Sequence, residues 1–203
     1  MHMTPSTNTP SSSVLSATVK RWPDSKTRII MRLFIAACLD DDIRNMLIEV
    51  QNGLKKQKLK ARYTKPENLH MTVAFIGDYG NHEAVLDALE AVQFTTLETT
   101  FEGLQVHRDM IFARLVETPQ MVTTVKKVRR ALAEAGIPFD RKRFMAHITL
   151  ARGVEIPVRT DPASPPFITA DIPKDLRVRI SKIALFKSEF TKNGMLYTEL
   201  GSI

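Results

Sequence analysis

Two six-residue stretches, HMTVAF at 70–75 and HITLAR at 147–152, repeat one pattern: histidine, apolar, threonine, apolar, alanine. No other feature restricts the fold as strongly. Both stretches read as β-strands, and on a strand residues i and i+2 share a face. His70 and Thr72 therefore point one way, as do His147 and Thr149, while Met71, Val73, Ile148 and Leu150 point into a core. A polar pair on one face of an apolar strand must find partners or water. A chain that writes this twice, 77 positions apart, is expected to have two similar halves with one motif strand each.

The surrounding elements fit an α+β chain with an approximate internal duplication. IIMRLFIAA (29–37) reads as a buried strand. DDDIRNMLIEVQNGLKKQ reads as a helix opened by acidic residues, with Ile43, Met46, Leu47 and Val50 at 3–4 spacing. ARYTKPENLHMTVAFIGDYG gives a strand, a Pro-Glu-Asn turn and the first motif strand, closed by Gly77 to Gly80. In NHEAVLDALEAV, Asn81 is an N-cap and Val85, Leu86 and Leu89 form one face. Two or three strands follow within 94–117, then a helix from Pro119 to Gly136 and the second motif strand. The proline-rich 153–173 reads as a loop bordering a cleft, and the C-terminal stretch as a hairpin around Lys192-Asn193-Gly194.

At 203 residues the chain can form one domain or two small lobes sharing a core. Residues 1–27, rich in Ser, Thr and Pro, lack a hydrophobic period and read as a mobile, dispensable tail before a 28–203 domain. The tail lacks a secretory h-region, and its basic, hydroxyl-rich character leaves an organelle transit peptide open. No apolar run approaches the ~18–20 residues that span a membrane, so no membrane partner and a cytoplasmic location are expected. Cys38 is the only cysteine, which excludes an internal disulfide and a cysteine metal cluster; it is expected as a small core hydrophobe. The net charge of +7 gathers at 55–62, 126–130 and 141–143. These are solvated faces or a footprint for a polyanion.

Only five histidines occur, and two of them head the repeat. Two locally satisfied histidines would explain each motif alone, but not their matched contexts. No Gly-x-Ser-x-Gly elbow and no His-Glu-x-x-His occurs, so serine and metal chemistry find no support and no cofactor is expected. Paired imidazoles suit opening of a 2′,3′-cyclic phosphate, which needs a water deprotonated and a ribose oxygen protonated. Threonine hydroxyls can hydrogen-bond the non-bridging phosphate oxygens.

MRLFIAACLDDDIRNML, PENLHMTVAFIGD, RFMAHITLAR and LFKSEFTKNGMLYTEL, in that order over about 31–200, resemble the two-histidine (2H) phosphoesterase superfamily, specifically its RNA 2′,3′-cyclic phosphodiesterase (LigT-like) branch. The resemblance implies two α+β lobes related by a pseudo-twofold. Each lobe would be an antiparallel sheet with helices outside, and the cleft would lie between them. It implies His70 as proton donor, His147 as proton acceptor, and Thr72, Thr149 and Arg152 as phosphate-binding residues. It also implies a monomer acting on RNA ends or nucleotides bearing a 2′,3′-cyclic phosphate and yielding a 2′-phosphomonoester. Alternatives on the same fold are a 2′,5′-linkage phosphodiesterase, 2′-5′ RNA ligation, and a nucleotide-binding module without catalysis. Relatives often read Phe-Arg-Pro-His where this chain has Phe144-Met145-Ala146-His147, so phosphate contact is looser there or Arg143 substitutes. Tyr63 stands where tryptophan is frequent, and His82 and His107 match no motif.

Overall fold

A computed structural model describes residues 29–155 and 170–203. The expected 1–27 tail lies outside the described residues, as does most of the expected proline-rich loop. The elements are β1 (Met31–Ala37), α1 (Asp41–Lys56), β2 (Arg62–Tyr63), a 3₁₀ turn (Pro66–Asn68), β3 (Met71–Tyr79), α2 (His82–Glu90), β4 (Leu97–His107), β5 (Met110–Leu115), α3 (Pro119–Glu134), β6 (His147–Arg152), β7 (Arg177–Ile180), β8 (Ile183–Thr191) and β9 (Gly194–Ser202).

The caps follow the sequence. Asn81 Oδ1 accepts from the Ala84 amide at the start of α2, and Thr118 Oγ1 from the Met121 amide at the start of α3. Gly136, at φ +68°, takes the left-handed position just past α3. Helix α1 places Asp41 and Asp42 in its first turn and Lys55 and Lys56 in its last, which complements the helix dipole.

The strands are ordered β7-β4-β5-β6-β3-β1-β8-β9, with β2 beside β6, and every pairing is antiparallel. Leaving β2 aside, four strands lie on either side of the β6–β3 junction, with one motif strand from each half at the centre. That junction is narrow: its recorded pair is Met71↔Ile148, the residues that follow the two motif histidines. The helices cross over between halves. Helix α1, which follows β1, packs on β6, and α3, which follows β5, packs on β3. Each half thus covers the core face of the other's motif strand. Met71, Val73, Ile148 and Leu150 are buried on that face, as expected. From α1, the buried Gln51 donates to the carbonyls of Thr64 (2.9 Å) and Leu150 (2.8 Å), fixing the end of β2 to β6.

Three local expectations need correction. Ile29 and Ile30 are exposed and precede β1 instead of entering the core, because the β3 partner strand ends at Tyr79 opposite Met31. Gly77 does not close β3; at φ +84° it sits in a bulge opposite Leu33 and the strand continues. Cys38 is half-buried at the wall of a cavity, since β1 has ended there and its side chain no longer faces the packed layer. Part of the expected C-terminal hairpin also goes elsewhere: β7 joins β4, while β8 and β9 form the hairpin. Among the described residues, no helix is long and apolar enough to cross a membrane.

Candidate active site

The face of the sheet opposite the helices carries a cavity of about 330 Å³, and His70, Thr72, His147, Thr149 and Arg152 all line it. The Met71↔Ile148 pairing explains how they meet. Antiparallel partners run in opposite order, so this register, continued one position either way, sets His70 beside Thr149 and Thr72 beside His147. The two motifs therefore interleave across the junction.

Both imidazoles are held alike. His70 Nδ1 lies 2.7 Å from the Asn68 carbonyl, and His147 Nδ1 lies 2.7 Å from the Met145 carbonyl, each two residues upstream. A carbonyl only accepts, so Nδ1 carries the proton in both rings. Nε2 is left as the reactive nitrogen, an acceptor when the ring is neutral and a donor when it is charged. The Nε2 of His70 is 3.2 Å from Thr72 Oγ1. Each ring also rests on a buried phenylalanine from the neighbouring strand: Phe34 of β1 under His70 and Phe112 of β5 under His147, both at 5.0 Å between centroids. Tyr197 meets the His70 ring edge-on at 5.4 Å.

Burial is the main cause that pushes His70 down to about 4; Arg152 and His147 add to it, and the Asn68 carbonyl opposes it. His147 is also lowered, first by burial, then by Arg114 and Arg152 against the Met145 carbonyl. Burial thus favours the neutral form of both rings in the free protein. Arg152 reaches Thr149 Oγ1 at 3.5 Å and Met110 Sδ at 3.1 Å, which places its guanidinium on the cavity rim.

Several residues here carry no sequence signal of their own. Asn68 supplies the carbonyl behind His70 and donates through Nδ2 to the Met195 carbonyl at 2.9 Å, tying the 3₁₀ turn to β9. Arg32 adds a second cation to the cavity and lies over the Phe75 ring at 5.0 Å. Arg143 is exposed and does not line the cavity. The guanidinium beside His147 is that of Arg114, its cross-strand partner on β5. Arg114 contacts Glu102 (3.4 Å) and Glu117 (3.7 Å), and Glu117 accepts from the Ala146 amide at 3.2 Å. The stretch before His147 is therefore braced from β5. His82 lies in the first turn of α2 and His107 at the exposed end of β4, both off the cavity. Among the described residues, no three His, Cys, Asp or Glu side chains group as a metal site.

Known proteins share the family and the fold of this chain. The family model described as LigT like Phosphoesterase matches residues 38–109 and 116–197. The chain is 27% identical over 181 residues to a protein named RNA 2′,3′-cyclic phosphodiesterase from Methanothermobacter thermautotrophicus, covering 84% of this chain and 96% of that one. A protein of the same name from Archaeoglobus fulgidus is 30% identical over 129 residues, covering 60% of this chain and 72% of that one. The crystal structure of E. coli LigT in apo form superimposes with a TM-score of 0.69 at 20% identity, covering 86% of this chain and 96% of that chain; at that identity the likeness speaks for the fold. With both motifs inside the matched residues, which span most of the chain, the chain belongs to the LigT-like phosphoesterase family.

Proposed function

We propose that this protein hydrolyses RNA 2′,3′-cyclic phosphates to 2′-phosphomonoesters by paired-histidine acid and base catalysis. The observation that carries the reading is the matched anchoring of His70 and His147, each with Nδ1 on a carbonyl and Nε2 left for one shared cavity. His147 takes a proton from water, whose oxygen attacks phosphorus. The bond from phosphorus to the 3′ oxygen breaks, and His70 gives that oxygen its proton. Thr72, Thr149 and Arg152 hold the non-bridging oxygens as their charge grows. A module that only binds nucleotides has no use for two proton-transfer groups. The test is to incubate cyclic-phosphate-ended RNA and free cyclic mononucleotides with the protein and separate 2′- from 3′-phosphate products. Formation of the 3′ isomer or of none would refute the reading.

Catalysis is expected to need no metal, since the reacting protons are all assigned to side chains. Activity should survive dialysis against EDTA; a loss restored by zinc or manganese would count against it.

A pH prediction follows from the depressed histidines. The donor His70 must be charged to act, yet alone it holds its proton only below about 4. An anionic phosphate between the rings favours their charged forms and lifts both. The kcat/KM profile reports the free protein and kcat the complex. The bell in kcat should therefore be centred at higher pH than the bell in kcat/KM. Coincident bells, or the reverse order, would show that the phosphate does not sit between these rings.

A further inference from the structure

We propose that the cavity-facing side of the β8–β9 hairpin is a stacking platform for the RNA strand leading up to the cyclic phosphate, with Phe190 taking the base of the penultimate nucleotide. This deepens the proposed function and rests on it for the identity of the RNA end.

Cross-strand partners share a face, as do residues two apart on one strand. Three successive pairs run along this hairpin: Phe186↔Glu199, Ser188↔Tyr197 and Phe190↔Met195. Ser188, Tyr197 and Met195 line the catalytic cavity. Phe186, Glu199 and again Tyr197 line a second cavity of about 330 Å³ that shares Phe34, His70 and Tyr197 with the first. The hairpin face is thus continuous past the histidines, and Phe190 is its next aromatic beyond Ser188. The alternation holds to this point, because Lys187 and Glu189 pair with each other at 2.8 Å on the opposite face.

Phe190 is 86% exposed, whereas Phe186 is partly covered and stacks on Phe34 at 5.4 Å. The charge beside it suits a phosphate backbone. Arg32 stands opposite Ser188 on β1, and Lys192 occupies the hairpin turn. An exposed ring beside cations, in line with a phosphate-reactive cavity, is how single-stranded nucleic acid is bound without base readout. A cyclic mononucleotide cannot reach it.

The experiment compares Phe190→Ala, Phe190→Trp and a control, Leu196→Ala, which removes an exposed apolar side chain from the other face of the hairpin. The kcat/KM for an oligoribonucleotide ending in a 2′,3′-cyclic phosphate should fall roughly tenfold in Phe190→Ala. It should hold in Phe190→Trp and Leu196→Ala, and the value for a cyclic mononucleotide should hold in all three. An equal fall on both substrates, or an unchanged oligonucleotide, overturns the platform. Should the unaltered protein hydrolyse neither substrate, the proposed function fails, and binding still decides the platform. A fluorescent RNA oligonucleotide with a 3′-phosphate should then bind Phe190→Ala roughly tenfold more weakly. Unchanged binding, with self-association lost in the variant by sedimentation, would assign the ring to a second copy of the chain and overturn the proposal.

Discussion

Replacing His70 or His147 with alanine is expected to slow cyclic phosphate hydrolysis on the order of 10²–10⁴-fold, the usual worth of one positioned acid or base. Binding of the 2′-phosphate product should survive in both variants, because Thr72, Thr149 and Arg152 still line the cavity. The double variant should lose less than the product of the single losses, since a lone imidazole cannot complete a paired transfer. The two roles separate by leaving group. A substrate that expels a nitrophenolate needs no proton on the departing oxygen, so it should rescue His70→Ala and leave His147→Ala slow. Equal rescue would reject that division of labour, and full activity in either alanine variant would reject the site.

The second large effect is on stability. Phe112 is 2% exposed, sits in the middle of β5 and supports the His147 ring at 5.0 Å. Truncation to alanine removes a fully packed aromatic and is expected to cost about 3–5 kcal/mol, a large share of the ~5–15 kcal/mol that holds a typical domain folded. Urea unfolding should show the midpoint fall steeply, while Phe112→Leu retains most of the stability. Phe190→Ala, the same truncation at an exposed position, should change stability by no more than about 0.5 kcal/mol. A loss below ~1 kcal/mol in Phe112→Ala would mean that the ring is not part of the packed layer.

The motif strands were legible because strand periodicity is local. His70 and Thr72 share a face by backbone geometry alone, and so do His147 and Thr149. The cap at Asn81, the Pro119 and Gly136 that bound α3, and the turn at Gly194 obey equally local rules. What could not be read were long-range choices. Nothing in RVRI at 177–180 says that it joins β4 and leaves the hairpin to β8 and β9. The guanidinium beside His147 belongs to Arg114, because cross-strand register outweighs closeness in sequence and leaves Arg143 outside. The Asn68 and Met145 carbonyls behind the histidines are main-chain groups, so their roles depend on where the chain bends before each strand.

The position of β1 between β3 and β8 has a consequence for synthesis. As the chain leaves the ribosome, β3 arrives soon after β1, but residues 183–191 follow far later. At about 5–20 residues per second, the second edge of β1 stays unpaired for roughly 7–30 seconds. That edge is the apolar run Leu33–Ala37, which can pair with another nascent chain as readily as with its own C-terminus. Tyr197, which packs edge-on against the His70 ring, emerges later still. A product truncated before residue 183 would therefore carry an open, sticky sheet edge and a His70 ring without Tyr197 at its edge.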